Sequence, residues 1–347
     1  MSLLTSLISH QIWLQRTASG EVKDLAPFIK EMRDEIKRQV LLFGDDGRST
    51  ARLNKLLRDL EEALAGLTGD WQTKLTEDLK ELAAYEAEWN AKTLTTNVNA
   101  EFVTPTAEQV WAAAEFQPLS LSGKPVDFTK LMSGWGETEV ARLVTGVKMG
   151  FVQGQTTRQI VKNVVGAGGL ADISERNAAT VIRTALSHVS NEARNETYRQ
   201  NDDIIEKYEW VSTLDSRTSA VCKARDGMTW EIGKGPMPPA HFGCRSTTAP
   251  VISSEFDFLD KGAKRAARGS NGGTQVSADT TYYEFLKQQP AWFQDEALGP
   301  VRGKIFRNSG ISPEEFRVIS VDGFGRPLTI KEMAELDKRV ADYLKGE

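Results

Sequence analysis

Two cysteines and three histidines are the soft-ligand residues of this 347-residue chain, and three of the five fall within residues 210–245. That stretch reads WVSTLDSRTSAVCKARDGMTWEIGKGPMPPAHFGCR and holds Cys222, His241 and Cys244, with Asp215, Asp226 and Arg245 close by in sequence. Two thiolates and an imidazole form a donor set that suits Zn²⁺. The H-x-x-C spacing of His241 and Cys244 lets one loop bring both to one ion. A structural site would take its fourth ligand from Asp215 or Asp226, whereas a water there would mark a catalytic site. The same residues permit a second chemistry, with Cys222 or Cys244 as nucleophile, His241 as base, and Asp215 or Asp226 orienting the imidazole. No strand–nucleophile–helix elbow accompanies them. A third reading is structural: the cysteines are small buried apolar groups, while His241 and Arg245 bond loop carbonyls and the Asp215 carboxylate. Residue types leave all three open.

Local patterns say which elements must position this set. Residues 207–213 alternate and are β-rich, which predicts a strand. Asp215-Ser216-Arg217-Thr218 then makes a turn able to cap a short helix over 222–224. Asp226-Gly227 turns the chain into a short strand at 228–232, and a returning strand is expected at 246–252. Pro238 and Pro239 keep the approach to His241 extended. Before all of this, residues 171–199 form the longest helical pattern, with Val181, Ile182, Ala185, Leu186, Val189 and Ala193 on one face and Ser174 as a candidate cap. His188 sits beside that stripe and reads as a packed or hydrogen-bonded histidine.

The flanking sequence is mostly helical. Apolar stripes at helical spacing run through Leu3–Ile12, Leu25–Ile36, Leu53–Leu64 and Trp71–Trp89, with glycines and polar clusters at the expected joins. Residues 1–117 therefore predict an antiparallel bundle or an elongated helical arm, and His10 reads as a surface or interface residue. Residues 118–136 look like a connector. Helices are expected at 138–153 and 156–165, the latter capped by Thr156 or Thr157. Gly166-Ala167-Gly168-Gly169 is a flexible break and not a phosphate loop, since no strand precedes it and no Lys-Ser/Thr follows. Further on, Lys261, Lys264, Arg265 and Arg268 form a basic cluster among Gly, Ser and Asn. It reads as a flexible loop over 253–278, solvated or ordering on a phosphate or acidic protein. The last part predicts helices at 282–288, 292–298 and 300–308, a strand at 316–320, and a closing helix whose capping box is Thr329 and Glu332. The expected class is α+β and predominantly helical: an N-terminal bundle or arm, then a small mixed α/β module built on the long helix. The expected division is 1–117, 118–136, 137–252, 253–278 and 279–347.

Composition narrows the function. Lys and Arg number 43 against 48 Asp and Glu, a net charge of −5, so nucleic-acid contact would have to be local. Two cysteines are no disulfide framework. The N-terminus MSLLTSLISHQIWLQR lacks a basic n-region and a small-residue cleavage site. No run approaches the roughly 18 apolar residues of a membrane span. A cytoplasm-like compartment without a membrane is the expectation.

At these residues the chain resembles the phage head morphogenesis family, the Mu F-like minor head proteins. The resemblance is carried by IRTALSHVSNEARNE in the long helix, then W-V-S-T-L-D-S-R-T-S-x-V-C, D-G and P-x-P-P-x-H-F-G-C-R. Downstream, W-F…L-G-P-V-R-G-K over 292–304 and L-T-I-K-E-M over 328–333 extend it, so that it covers about 135–340. Asp215, Cys222, His241, Cys244 and Arg245 match motif positions of that family. The resemblance implies a minor capsid protein of a tailed bacteriophage or prophage, made in the host cytoplasm and carried in the virion. Its position would be the capsid interior near the portal, its partners the portal protein and coat or scaffold proteins, with DNA contact or exit with the genome in some members.

Three functional readings follow. The first is an assembly protein whose N-terminal helices dock on a portal or coat partner. The second is a zinc- or cysteine-dependent hydrolase centred on Cys222, His241 and Cys244. The third is a DNA-binding ejection factor using Lys261, Lys264, Arg265 and Arg268.

Overall fold

A computed structural model describes residues 2–45, 49–252 and 262–346. The chain is α+β and mostly helical, as its periodicities predict. It divides into two compact units that do not follow chain order. The first comprises Met1–Gln15, Ala83–Val126 and Ser187–Glu347, and the second Arg16–Leu82 and Asp127–Leu186. Residues 1–117, expected as one helical region, contribute to both units.

Helix α1 is Leu3–Asp24, α2 Ala26–Phe43 and α3 Thr50–Val98. Two helices were expected between residues 53 and 92, yet α3 runs unbroken through Gly66 and Gly69. Each glycine costs about 1 kcal/mol relative to alanine in a helix. Leu60, Leu64, Trp71 and Leu75 bury one continuous stripe across them, and burying such side chains contributes about 1.5–3 kcal/mol each.

In the second unit, α5 (Phe128–Val152) and α6 (Thr157–Val165) join α2. The N-cap of α5 is Asp127, so the helix begins inside the expected connector. Trp71 meets Trp135 edge-on at 4.5 Å, and Phe43 meets Phe151 at 4.8 Å. Thr156 caps α6 in a reciprocal box with Gln159. Helix α7 (Leu170–Arg199) starts before Ser174. The Ser174 hydroxyl is not a cap; it donates to Glu139 at 2.9 Å, and Asn177 donates to the same carboxylate at 2.7 Å.

The first unit holds α4 (Ala107–Phe116), all the strands and the remaining helices. Strands β1 (Leu119–Leu121) and β2 (Lys124–Val126) form a hairpin within the expected connector. Its two turn residues, Ser122 and Gly123, have φ of 54° and 76°, the geometry that matches the right-handed strand twist. A three-stranded antiparallel sheet has β3 (Ile205–Val211) between β4 (Thr229–Glu231) and β5 (Thr247–Ile252). Tyr198 of α7, Tyr208 and Val211 of β3 and Ala249 of β5 share a core with Leu3, Leu7, Leu94 and Val98. Polar anchors add to it: Asn191 accepts from Thr247 at 3.3 Å, Arg194 donates to the same hydroxyl, and Tyr198 donates to the Thr248 carbonyl at 3.4 Å.

His10, expected at a surface or interface, is buried in this unit. Its Nε2 lies 2.6 Å from Glu86, and its ring stacks on Trp89. The expected flexible basic loop is instead, from residue 264 on, a hairpin of β6 (Lys264–Gly269) and β7 (Gly272–Ser277). The remainder packs around an aromatic core of Tyr282, Tyr283, Phe285, Phe306 and Phe316. Its helices are α9 (Tyr282–Lys287), α10 (Ala291–Leu298), α11 (Pro300–Asn308), α12 (Pro313–Val318), α13 (Ile330–Leu336) and α14 (Lys338–Gly346). Helix α12 overturns the strand expected at 316–320, because Ser312 and Glu315 form a capping box ahead of Phe316. No helix among the described residues is long and apolar enough to cross a membrane.

Candidate metal centre

Three local devices bring Cys222, His241 and Cys244 together, all within the first unit. Helix α8 (Ala220–Arg225) follows β3, with Ser219 rather than the earlier Asp215 turn as its N-cap. This puts Cys222 on the helix wall beside Trp210. Asp226 then turns the chain back. Gly227, at φ 78°, donates to the Trp210 carbonyl at 2.9 Å, a backbone conformation glycine adopts without a Cβ penalty. The third device is the turn from His241 to Cys244, closed by the Cys244 amide donating to the His241 carbonyl at 3.1 Å, with Gly243 at φ 67°. Ser122 of the β1–β2 turn holds the approach to it, donating to the Ala240 carbonyl at 2.8 Å.

The result is a tight triangle. Cys222 Sγ lies 3.4 Å from His241 Nε2 and 3.6 Å from Cys244 Sγ. All three donor atoms fall within 4.8 Å of one another, the one such cluster found among the described residues. Both cysteines are buried and unbridged, and His241 is partly exposed. A cleft of about 40 Å³ opens beside them, lined by Thr213, Arg217, Thr218, Ser219, Gly243, Arg245 and Ser246 as well as Cys222 and His241. Such a volume takes one or two waters.

The electrostatics divide the two sulfurs. The contact with the Cys244 sulfur, and then burial, push the Cys222 thiol well up. The same contact draws Cys244 well down against its burial, aided by His241. Burial works against charge on His241, yet the Cys244 sulfur and the Phe242 carbonyl outweigh it and raise the imidazole.

Neither aspartate joins the triangle. Asp215 takes a two-pronged pair from Arg245 at 2.6 and 2.8 Å, and also accepts from Thr218 and the Arg217 amide. Burial opposes its charge, but the Arg245 bonds prevail and lower its pKa. Asp226 accepts from Arg265 at 2.9 and 3.1 Å and from the Ser212 amide at 2.6 Å. Both carboxylates are held by arginines and lock loops, and the Arg245–Asp215 bond is the one the structural reading of the motif expects. His241 Nδ1 faces the Phe242 carbonyl at 2.9 Å instead of a carboxylate.

The basic cluster is not brought together as a surface. Along β6 the side chains alternate, so Lys264 and Arg268 are exposed while Arg265 is buried on Asp226. Lys261 lies outside the described residues. His188 is hydrogen-bonded, as expected, with Nε2 2.8 Å from the Ala114 carbonyl. Sequence reading missed the wall of a second cavity of about 210 Å³, where Glu192, Asn195 and Arg199 join His188 opposite Pro236–Pro239. The i, i+4, i+7, i+11 spacing of those four polar residues on one helix was the available signal.

Residues 141–249 match the family described as phage Mu protein F like protein. Over these residues the chain is similar to the phage Mu F-like family. The Mu F-like region spans the second half of α5, all of α6 and α7, strands β3 and β4, the first half of β5, and the whole Cys222–His241–Cys244 triangle. The resembling segments at 292–304 and 328–333 lie beyond it. No curated protein and no solved structure matches the chain.

Proposed function

We propose that this protein is a bacteriophage minor head protein acting in procapsid assembly and head morphogenesis. The observation that carries the reading is the Mu F-like match over 141–249, which includes the whole motif and most of the sheet that frames it. The protein resides in the virion, associated with the portal inside the capsid, with portal, coat or scaffold proteins as partners. Support for partner docking comes from large apolar side chains left in solvent. In the second unit these are Leu41, Leu42, Met149 and Val152, and in the first they include Phe116, Val318 and Phe324. Contact with the genome runs through Lys264 and Arg268, the exposed members of the basic hairpin, and is modest in a chain of net charge −5.

Deleting the gene from the phage that encodes it tests the reading. Defective or non-infectious heads, restored by expression in trans, are expected, with the protein found in purified wild-type virions. Its absence from virions, together with normal heads and titre on deletion, would overturn the reading. Binding to DNA that does not weaken as salt rises would remove the genome contact.

A further inference from the structure

We propose that Cys222, His241 and Cys244 bind one zinc ion, with the fourth position open to the adjoining cleft. Ideal geometry supports this directly. Two thiolates each about 2.3 Å from a tetrahedral zinc stand about 3.8 Å apart, and a thiolate and an imidazole nitrogen about 3.5 Å apart. The observed separations of 3.6 Å between the sulfurs and 3.4 Å between Cys222 Sγ and His241 Nε2 match these spacings.

The imidazole is oriented for the task. His241 Nδ1 lies 2.9 Å from a carbonyl oxygen, which can only accept, so Nδ1 carries the hydrogen. The lone pair of neutral His241 is then on Nε2, the nitrogen that faces the sulfurs. Metal-bound histidines are held in the same manner, with the distal N–H tied to a carbonyl or carboxylate.

Charge points the same way. Two buried thiolates without a counter-ion repel each other in a low-dielectric site, whereas Zn²⁺ with two thiolates is neutral and suits burial. The two nearby carboxylates that would complete a closed structural site are each committed to an arginine, Asp215 to Arg245 and Asp226 to Arg265. The cleft beside Ser246 and Thr213 has room for a water as fourth ligand. Three protein ligands and an open position leave the ion reachable by small donors from solvent.

The full-length chain, purified without chelator, is the material for the test. About one zinc per chain is expected, lost in Cys222→Ser, Cys244→Ser and His241→Gln. Because a variant can fail to fold, the deciding measurement uses the native sequence. Chelator-stripped protein titrated with Co²⁺ should show intense tetrahedral d–d bands and a thiolate-to-cobalt charge-transfer band for two sulfurs. Zn²⁺ should erase both. Protein that takes up neither metal, or whose cobalt spectrum lacks thiolate bands, overturns the proposal. So does a Cys222–Cys244 disulfide in freshly prepared protein kept reduced by an added thiol.

Discussion

Arg265 and Asp226 form a two-pronged ion pair sealed from solvent, with side chains 2% and 0% exposed. The arginine comes from β6 and the aspartate from the turn after α8, 39 residues apart in sequence. Arg265 also donates to the carbonyls of Ser212 and Thr280 at 2.6 and 3.0 Å, so one guanidinium ties the basic hairpin to the loop that carries the cysteines. Removing one partner leaves the other charged and buried, at a cost of about 3–5 kcal/mol. Arg265→Met should therefore lower the urea midpoint strongly, while Lys264→Gln, on the exposed face of the same strand, should leave it nearly unchanged. Equal effects of the two substitutions would refute the burial argument.

A second buried knot lies around Glu86. Its carboxylate receives the Ser190 hydroxyl at 3.0 Å and faces His10 Nε2 at 2.6 Å. The three residues come from α3, α7 and α1 within one compact unit. Glu86→Ala should leave two buried polar groups without a partner, and a cost of about 1–3 kcal/mol for each is expected. Glu86→Gln keeps an acceptor and fills the same space, so it should cost clearly less. Chemical denaturation of both variants checks this; equal losses would mean that packing alone matters there.

These two pairs also mark where the sequence stops being readable. Helix caps are local, so Thr156 with Gln159 and Thr329 with Glu332 stand where the spacing predicts. The same rule finds α12, since Ser312 and Glu315 fit the capping box ahead of the residues expected as a strand. Gly66 and Gly69 looked like helix joins because propensity is local, whereas the stripe they interrupt is buried by distant partners. His10 shows no partner at local spacing because Glu86 lies 76 residues away. At the motif, residue types bring out the Cys222–His241–Cys244 triangle and the bond of Arg245 to Asp215, but not that Asp226 is held by Arg265. That pair joins residues 39 apart in sequence, and Arg265 on its own reads as part of a solvated cluster.

The buried carboxyl of Glu192 gives the protein a specific response to pH. It lines the second cavity with His188, and burial raises its pKa to about 7 despite a hydrogen bond from Asn195 at 3.3 Å. In the unfolded chain the same group titrates near its ordinary value of 4.5. Between these values the folded state holds more protons, so this group's contribution falls as pH rises from about 4.5 to about 7 and is level outside that window. His188 acts in the opposite sense: burial lowers it from 6.5 to about 4, so its contribution is lost as pH falls through that range. The two slopes oppose each other where the windows overlap. Glu192→Gln removes one of them while keeping an acceptor for Asn195. The variant should match the wild type near pH 4 and exceed it above pH 7 by about 3 kcal/mol, the linkage energy of a shift of this size. Urea unfolding of both proteins from pH 4 to pH 8 measures the difference. A gap that stays constant across the range would show that Glu192 does not titrate inside the fold.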